Sequence, residues 1–123
     1  MLRELEEILS EVPPYDEDHH LGLPFLSAYQ LAIRFAERYP DNEKVQSLKI
    51  GGSGTQEAQS LAQYIAGTLS KAIRDGTVTN IEGGFLSHDN LEEMTFSMGI
   101  RVSTIRSKPG HSIFRYVREN QAN

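Results

Sequence analysis

Three groups of residues in this chain have the types and spacing that do chemistry. The first is the run Gly51-Gly52-Ser53-Gly54-Thr55, which follows the apolar lead-in at Ile50 and opens a long helical pattern. A glycine-rich turn running into a helix N-terminus aims free backbone amides outward and forms a cradle for phosphate or another anion. Gly51, Gly52, Ser53, Gly54 and Thr55 are therefore the candidate anion- or ligand-binding residues. No Gly-Lys-Ser/Thr follows, so the run is not a P-loop, and it lacks the spacing of a dinucleotide fingerprint. A tight turn that lets two backbones approach closely is the structural alternative.

The second group is basic. Arg101, Arg106, Lys108, Arg115 and Arg118 crowd the C-terminal quarter, interleaved with Phe114 and Tyr116. Cations beside stacking rings make a nucleic-acid platform, or else protect the edge of a sheet by charge. The third group is Asp16-Glu17-Asp18-His19-His20. Imidazole and carboxylate together ligate transition metals. Adjacent residues of an extended chain point opposite ways, however, and no His-x-x-x-His pair shares a helical face, so His19 and His20 are candidates without a site and no metal centre is expected. Ser87-His88-Asp89 is contiguous, whereas the members of a catalytic triad come together from distant positions. Glu82, beside Gly83-Gly84 and near His88, is the best available acid/base pair. No cofactor motif is present, and none is expected to bind.

Elements must position these groups. Leu2, Leu5, Ile8, Leu9 and Val12 form one apolar stripe, predicting an N-terminal helix over 1–12 that Pro13-Pro14 ends. An acidic loop over 13–23 follows. Leu23-Pro24-Phe25 is expected to start a second helix, with Pro in its first turn. From Phe25 to Tyr39 apolar residues cover most of the circumference, so this helix should be central. Its segment Leu26-Ser27-Ala28-Tyr29-Gln30-Leu31-Ala32 resembles the first helix of a bacterial helix-turn-helix. That motif wants three or four residues before the next helix, and here about fifteen intervene. Gly51-x-x-Gly54 likewise resembles the bare loop of a KH RNA-binding module, without its basic neighbours.

The longest helical pattern is expected from about residue 55 to 75. Ala58, Leu61, Ala62, Ile65, Leu69, Ala72 and Ile73 recur at steps of three and four, Ser53 or Thr55 offers an N-cap, and Asp75-Gly76 a stop. Gly67 inside it implies a closely packed neighbour. After Gly76 the period changes from 3.6 to 2. Short strands are predicted over 78–82, with Gly83-Gly84 as a bulge, a kink or a close backbone approach and Phe85-Leu86 resuming the strand or packing as a plug, then over 93–98, 100–107 and 112–118. Lys108-Pro109-Gly110-His111 is the clearest turn, and 119–123 should fray.

Composition bounds the rest. A chain of 123 residues fits a single domain over 1–123. The absence of cysteine excludes disulfides, thiolate metal sites and a Cys nucleophile. The acidic amphipathic N-terminus is unlike a signal peptide, no apolar run could span a bilayer, and a cytoplasmic location is expected. Net charge is −5, yet residues 99–123 carry five Lys/Arg against one Asp/Glu.

The sequence thus reads as an α+β fold, three helices followed by a three- to four-stranded antiparallel β-meander packed on them. A homodimer through sheet or helix faces is expected. The first functional reading is a small noncatalytic intracellular binding or regulatory module acting through protein-protein contacts. The alternative is a nucleic-acid-binding protein, winged-helix-like or using the glycine loop with the basic C-terminal hairpin. The third is a phosphate- or nucleotide-handling enzyme at Gly51–Gly54. Truncating Ile65 is expected to destabilise the fold, and truncating Arg115 with Arg118 to leave it nearly unchanged.

Overall fold

The computed structural model describes residues 1–14, 16–52, 60–103 and 110–118. Helices α1 (Leu2–Ser10), α2 (Ala28–Arg38), α3 (Glu43–Ser47) and α4 (Leu61–Arg74) combine with strands β1 (Leu26–Ser27), β2 (Ile81–Leu86), β3 (Glu93–Thr95), β4 (Arg101–Ser103) and β5 (His111–Tyr116). The strands are antiparallel throughout, and the fold is α+β. They divide into a three-stranded sheet of order β1-β5-β2 and a separate β3-β4 pair. Strand β5, last in the chain, is therefore central. It pairs with β2 on one side and with β1, which precedes α2, on the other.

The apolar stripe of α1 buries Leu5, Ile8 and Leu9. At its C-terminal end Glu11 receives the Arg38 guanidinium at 2.5 Å. That bond, with Arg38 close by, holds the Glu11 carboxyl below the usual carboxylate range. The same contact joins the ends of α1 and α2. In α2, Ala28, Tyr29, Leu31, Ala32, Ile33 and Phe35 are all buried, because the helix packs against α1, α4, β1 and β5. Its central place was expected; its start was not. Pro24 and Phe25 precede β1, and the helix begins at Ala28 with a capping box. The Gln30 amide donates to Ser27 Oγ (3.2 Å) and the Ser27 amide to Gln30 Oε1 (2.7 Å). The capping box fixes the start at Ser27, which the register pairs with Ile113 of β5. A second unforeseen element is α3, nucleated by the Asn42 side chain accepting from the Lys44 and Val45 amides.

Helix α4 lays Leu61, Ala62, Ile65, Ala66, Leu69 and Ala72 into the core. It starts at Leu61 rather than near 55, since Ser60 is extended at φ −90°, ψ 159°. The proposed caps Ser53 and Thr55 lie outside the described residues. Gly76, at φ +74°, ends it as expected. Gly67 does not mark close packing: a Cβ there would meet nothing within 4 Å among the described residues.

No bulge occurs at Gly83-Gly84, where β2 runs in unbroken register, Ile81 opposite Tyr116 to Leu86 opposite His111. A Cβ at Gly83 would approach Phe114 at 3.2 Å and Ile73 of α4 at 3.3 Å. Gly83 thus faces the helices, and its missing side chain is the space that Phe114 fills. Strand β3 ends before the predicted 98 because Met98 and Gly99 turn left-handed, at φ +68° and +71°, and β4 starts at Arg101, with the rest of the predicted 100–107 strand beyond Ser103 outside the described residues. Residues 104–109, including most of the Lys108-Pro109 turn, and the 119–123 tail lie outside the described residues. One apolar cluster runs from Leu5 through Ile65 to Phe114. No helix among the described residues is long and apolar enough to cross a membrane.

Candidate functional site

At the glycine loop the described residues are Gly51 and Gly52; Ser53, Gly54 and Thr55 lie outside them. Both glycines have positive φ, +140° and +98°. A Cβ at Gly51 would meet the Tyr29 ring at 3.0 Å, and one at Gly52 the Arg101 carbonyl oxygen at 2.8 Å. Here the glycines let the chain thread between α2 and β4. The amides that would hold an anion at α4 are already bonded. The Leu61 amide donates to the Lys49 carbonyl (2.7 Å) and the Ala62 amide to the Ile50 carbonyl (3.0 Å). The Gln63 amide donates to Ser60 Oγ (3.0 Å). With its first-turn donors used inside the chain, the described start of α4 offers no cradle.

The basic residues are divided between the two sheets. Arg101 lies on β4, Arg115 on β5 and Arg118 just beyond it, while Arg106 and Lys108 lie outside the described residues. Arg115 Nε donates to Glu82 Oε1 at 2.6 Å, a second nitrogen donates to the Leu21 carbonyl, and the guanidinium stands 4.6 Å from the centre of the Phe25 ring. Arg115 thereby ties the loop before β1 to the sheet, a structural duty that spacing alone did not reveal. Its truncation would unmake three contacts, so stability is not expected to stay unchanged after all. Arg118 Nη1 donates to the Glu17 carbonyl at 3.4 Å.

His19 and His20 stack, ring centroids 4.4 Å apart, and His19 Nδ1 accepts from the Leu21 amide at 3.1 Å. They line a cleft of about 530 Å³ whose other walls include Glu17, Asp18, Arg115 and Arg118. The fold thus brings the His pair and two of the arginines together. No group of three or more His, Asp or Glu suited to a metal ion occurs among the described residues. The Glu82 carboxylate is taken by Arg115, and His88 lies beside Asp89, 3.8 Å away.

What spacing missed is the outer edge of β2. The Val117 amide donates to the Asn80 carbonyl at 2.8 Å, extending the β2-β5 ladder by one bonded pair. Bonded and open pairs alternate along an antiparallel ladder. Glu82, Gly84 and Leu86 therefore exchange bonds with β5, and Ile81, Gly83 and Phe85 turn their N–H and C=O groups the other way. Among the described residues no strand pairs with that side. Phe85 is 60% exposed and Leu86 43%. Edges are normally shielded by Lys, Pro or a bulge; β2 has none of these, and the charge of Glu82 is met by Arg115. The signal was legible in Ile-Glu-Gly-Gly-Phe-Leu only once β5, not β3, was known to be its neighbour.

No protein family, curated protein or solved structure matches this chain.

Proposed function

We propose that this chain is a noncatalytic intracellular binding module acting through protein contacts, and that the outer edge of β2 is its docking element. One observation carries the reading: the outer edge of the six-residue β2, with no Lys, Pro or bulge in it, that ends in two exposed apolar side chains. An extended segment laid along it would bond the outward groups of Gly83 and Phe85 and cover the Phe85 ring, the chemistry of strand addition. The described parts of the other candidate surfaces favour the same reading. The first-turn amides of α4 and the Arg115 guanidinium, which would serve an anion or a nucleic acid, are bonded within the chain.

A photoreactive phenylalanine analogue at position 85, with Ser70 on the exposed side of α4 as control, tests the reading in extracts of the producing cells. Covalent products with protein from position 85 and not from position 70 are expected. Nuclease-sensitive products would favour nucleic-acid binding instead, and no product from position 85 would contradict the proposal.

A further inference from the structure

We propose that His19 is a pH-operated latch: its neutral imidazole closes the loop over 16–22 onto the end of β5, and protonation of the ring releases that loop. Inside the loop the His19 amide donates to the Asp16 carbonyl and the Gly22 amide to the His19 carbonyl, each at 3.0 Å. The Asp18 amide donates to Asp16 Oδ1 at 3.1 Å. His19 adds a side-chain bond, its Nδ1 accepting from the Leu21 amide at 3.1 Å. Leu21 is where the loop meets the sheet, because its carbonyl receives the Arg115 guanidinium. Imidazole and guanidinium thus hold the same residue, one at its amide and the other at its carbonyl.

A backbone amide can only donate, so Nδ1 must present a lone pair, and His19 in the closed loop is neutral. Protonation places an N–H at Nδ1, facing the Leu21 N–H, and the bond is lost. The His20 ring, stacked on His19 with centroids 4.4 Å apart, adds repulsion when both rings are charged.

The charges around the pair favour release. Among the described residues, Asp16, Glu17 and Asp18 belong to the loop itself and are exposed, so they move with it. From the sheet side Arg115, Tyr116 and Arg118 line the same cleft, and Glu82 of β2 is already engaged by Arg115 at 2.6 Å. The two guanidiniums that hold the loop down, Arg115 at Leu21 and Arg118 at the Glu17 carbonyl, therefore face a new positive charge. The sign follows by linkage. The closed loop binds one proton fewer at His19 than the open loop, so closure strengthens as pH rises and weakens as pH falls through the ordinary imidazole range near 6.5. Arg115 keeps Glu82 and the face of Phe25, so the sheet stays intact while the cleft widens.

Two-dimensional NMR from pH 7.5 to pH 5, on the wild type, His19→Asn and His20→Asn, tests the latch. Asn carries an oxygen that accepts from the amide two residues on, as His19 Nδ1 does here, and it does not titrate. In the wild type the protection of the Leu21 amide, taken relative to its intrinsic exchange rate at each pH, is expected to fall at least about tenfold in step with the His19 ring titration. His19→Asn is expected to hold the Leu21 amide and Arg115 Nε resonances steady over the same range. His20→Asn, which leaves the Nδ1 bond in place, is expected to retain the response. Constant Leu21 protection while the His19 ring titrates, or the same loss in His19→Asn, would overturn the proposal. Circular dichroism of the wild type should keep its helical signal throughout; loss of that signal in step with Leu21 would show general acid unfolding and overturn it as well.

Discussion

Gly67 and Gly83 are indistinguishable by residue type, and their surroundings assign them opposite roles. Gly67 is exposed in the middle of α4, and no atom of the described residues lies within 4 Å of where a Cβ would stand. There glycine only adds entropy to the unfolded chain, and Gly67→Ala is expected to stabilise the protein by about 0.5–1 kcal/mol. Gly83 has the Phe114 ring 3.2 Å from the place of its missing Cβ. Gly83→Ala forces the ring or the strand aside and is expected to destabilise by about 1–3 kcal/mol. Urea denaturation of both variants checks the pair of signs; equal signs would contradict the packing described. A close approach was among the sequence alternatives for Gly83-Gly84, but for Gly67 close packing was expected and is not found, because what lies beside a glycine depends on residues far along the chain, for Gly83 Ile73 and Phe114. The same holds for Arg115. Its place in a basic cluster was visible, but Glu82, Leu21 and Phe25 gather around it only in three dimensions.

For whole elements the sequence was more informative. The periodicity of Ala62, Ile65, Leu69 and Ala72 predicted the buried face of α4, and the near-complete apolar circumference of α2 predicted a helix with neighbours on several sides. Those patterns are local and follow from 3.6 residues per turn. Ile65 is fully buried in that face, and Ile65→Ala is expected to cost about 2–4 kcal/mol in chemical denaturation, through lost transfer energy and the cavity left behind. A cost below about 1 kcal/mol would mean that the α2-α4 contact collapses around the gap. Strand partners were less legible. Period-2 alternation marks a strand and its faces, but it says nothing about which strand lies alongside. That β5 would take the centre, with two-residue β1 from before α2 on its far side, is decided by the packing of α2 beside β1. Helix starts were misplaced for a related reason: Pro24 and Ser27 both carry N-terminal signals, and pairing with β5 chose Ser27.

At the scale of the molecule, the apolar core is enclosed while a few apolar residues stand in solvent, Leu21 and Met98 on their loops and Phe85 with Leu86 on a strand. Leu5, Leu31, Phe35, Leu61 and Leu69 are fully enclosed, whereas Phe85 and Leu86 stand exposed at the end of a strand whose outer backbone groups meet no other strand among the described residues. Stability of the core and availability of the edge have separate causes, so a partner can be gained or lost at β2 without refolding the helices. Residue-resolved amide hydrogen exchange across β2 examines that edge directly. Glu82, Gly84 and Leu86, bonded to β5, should be protected, and Gly83 and Phe85 should exchange faster. Protection of Gly83 and Phe85 equal to that of Glu82, Gly84 and Leu86 would contradict an open edge.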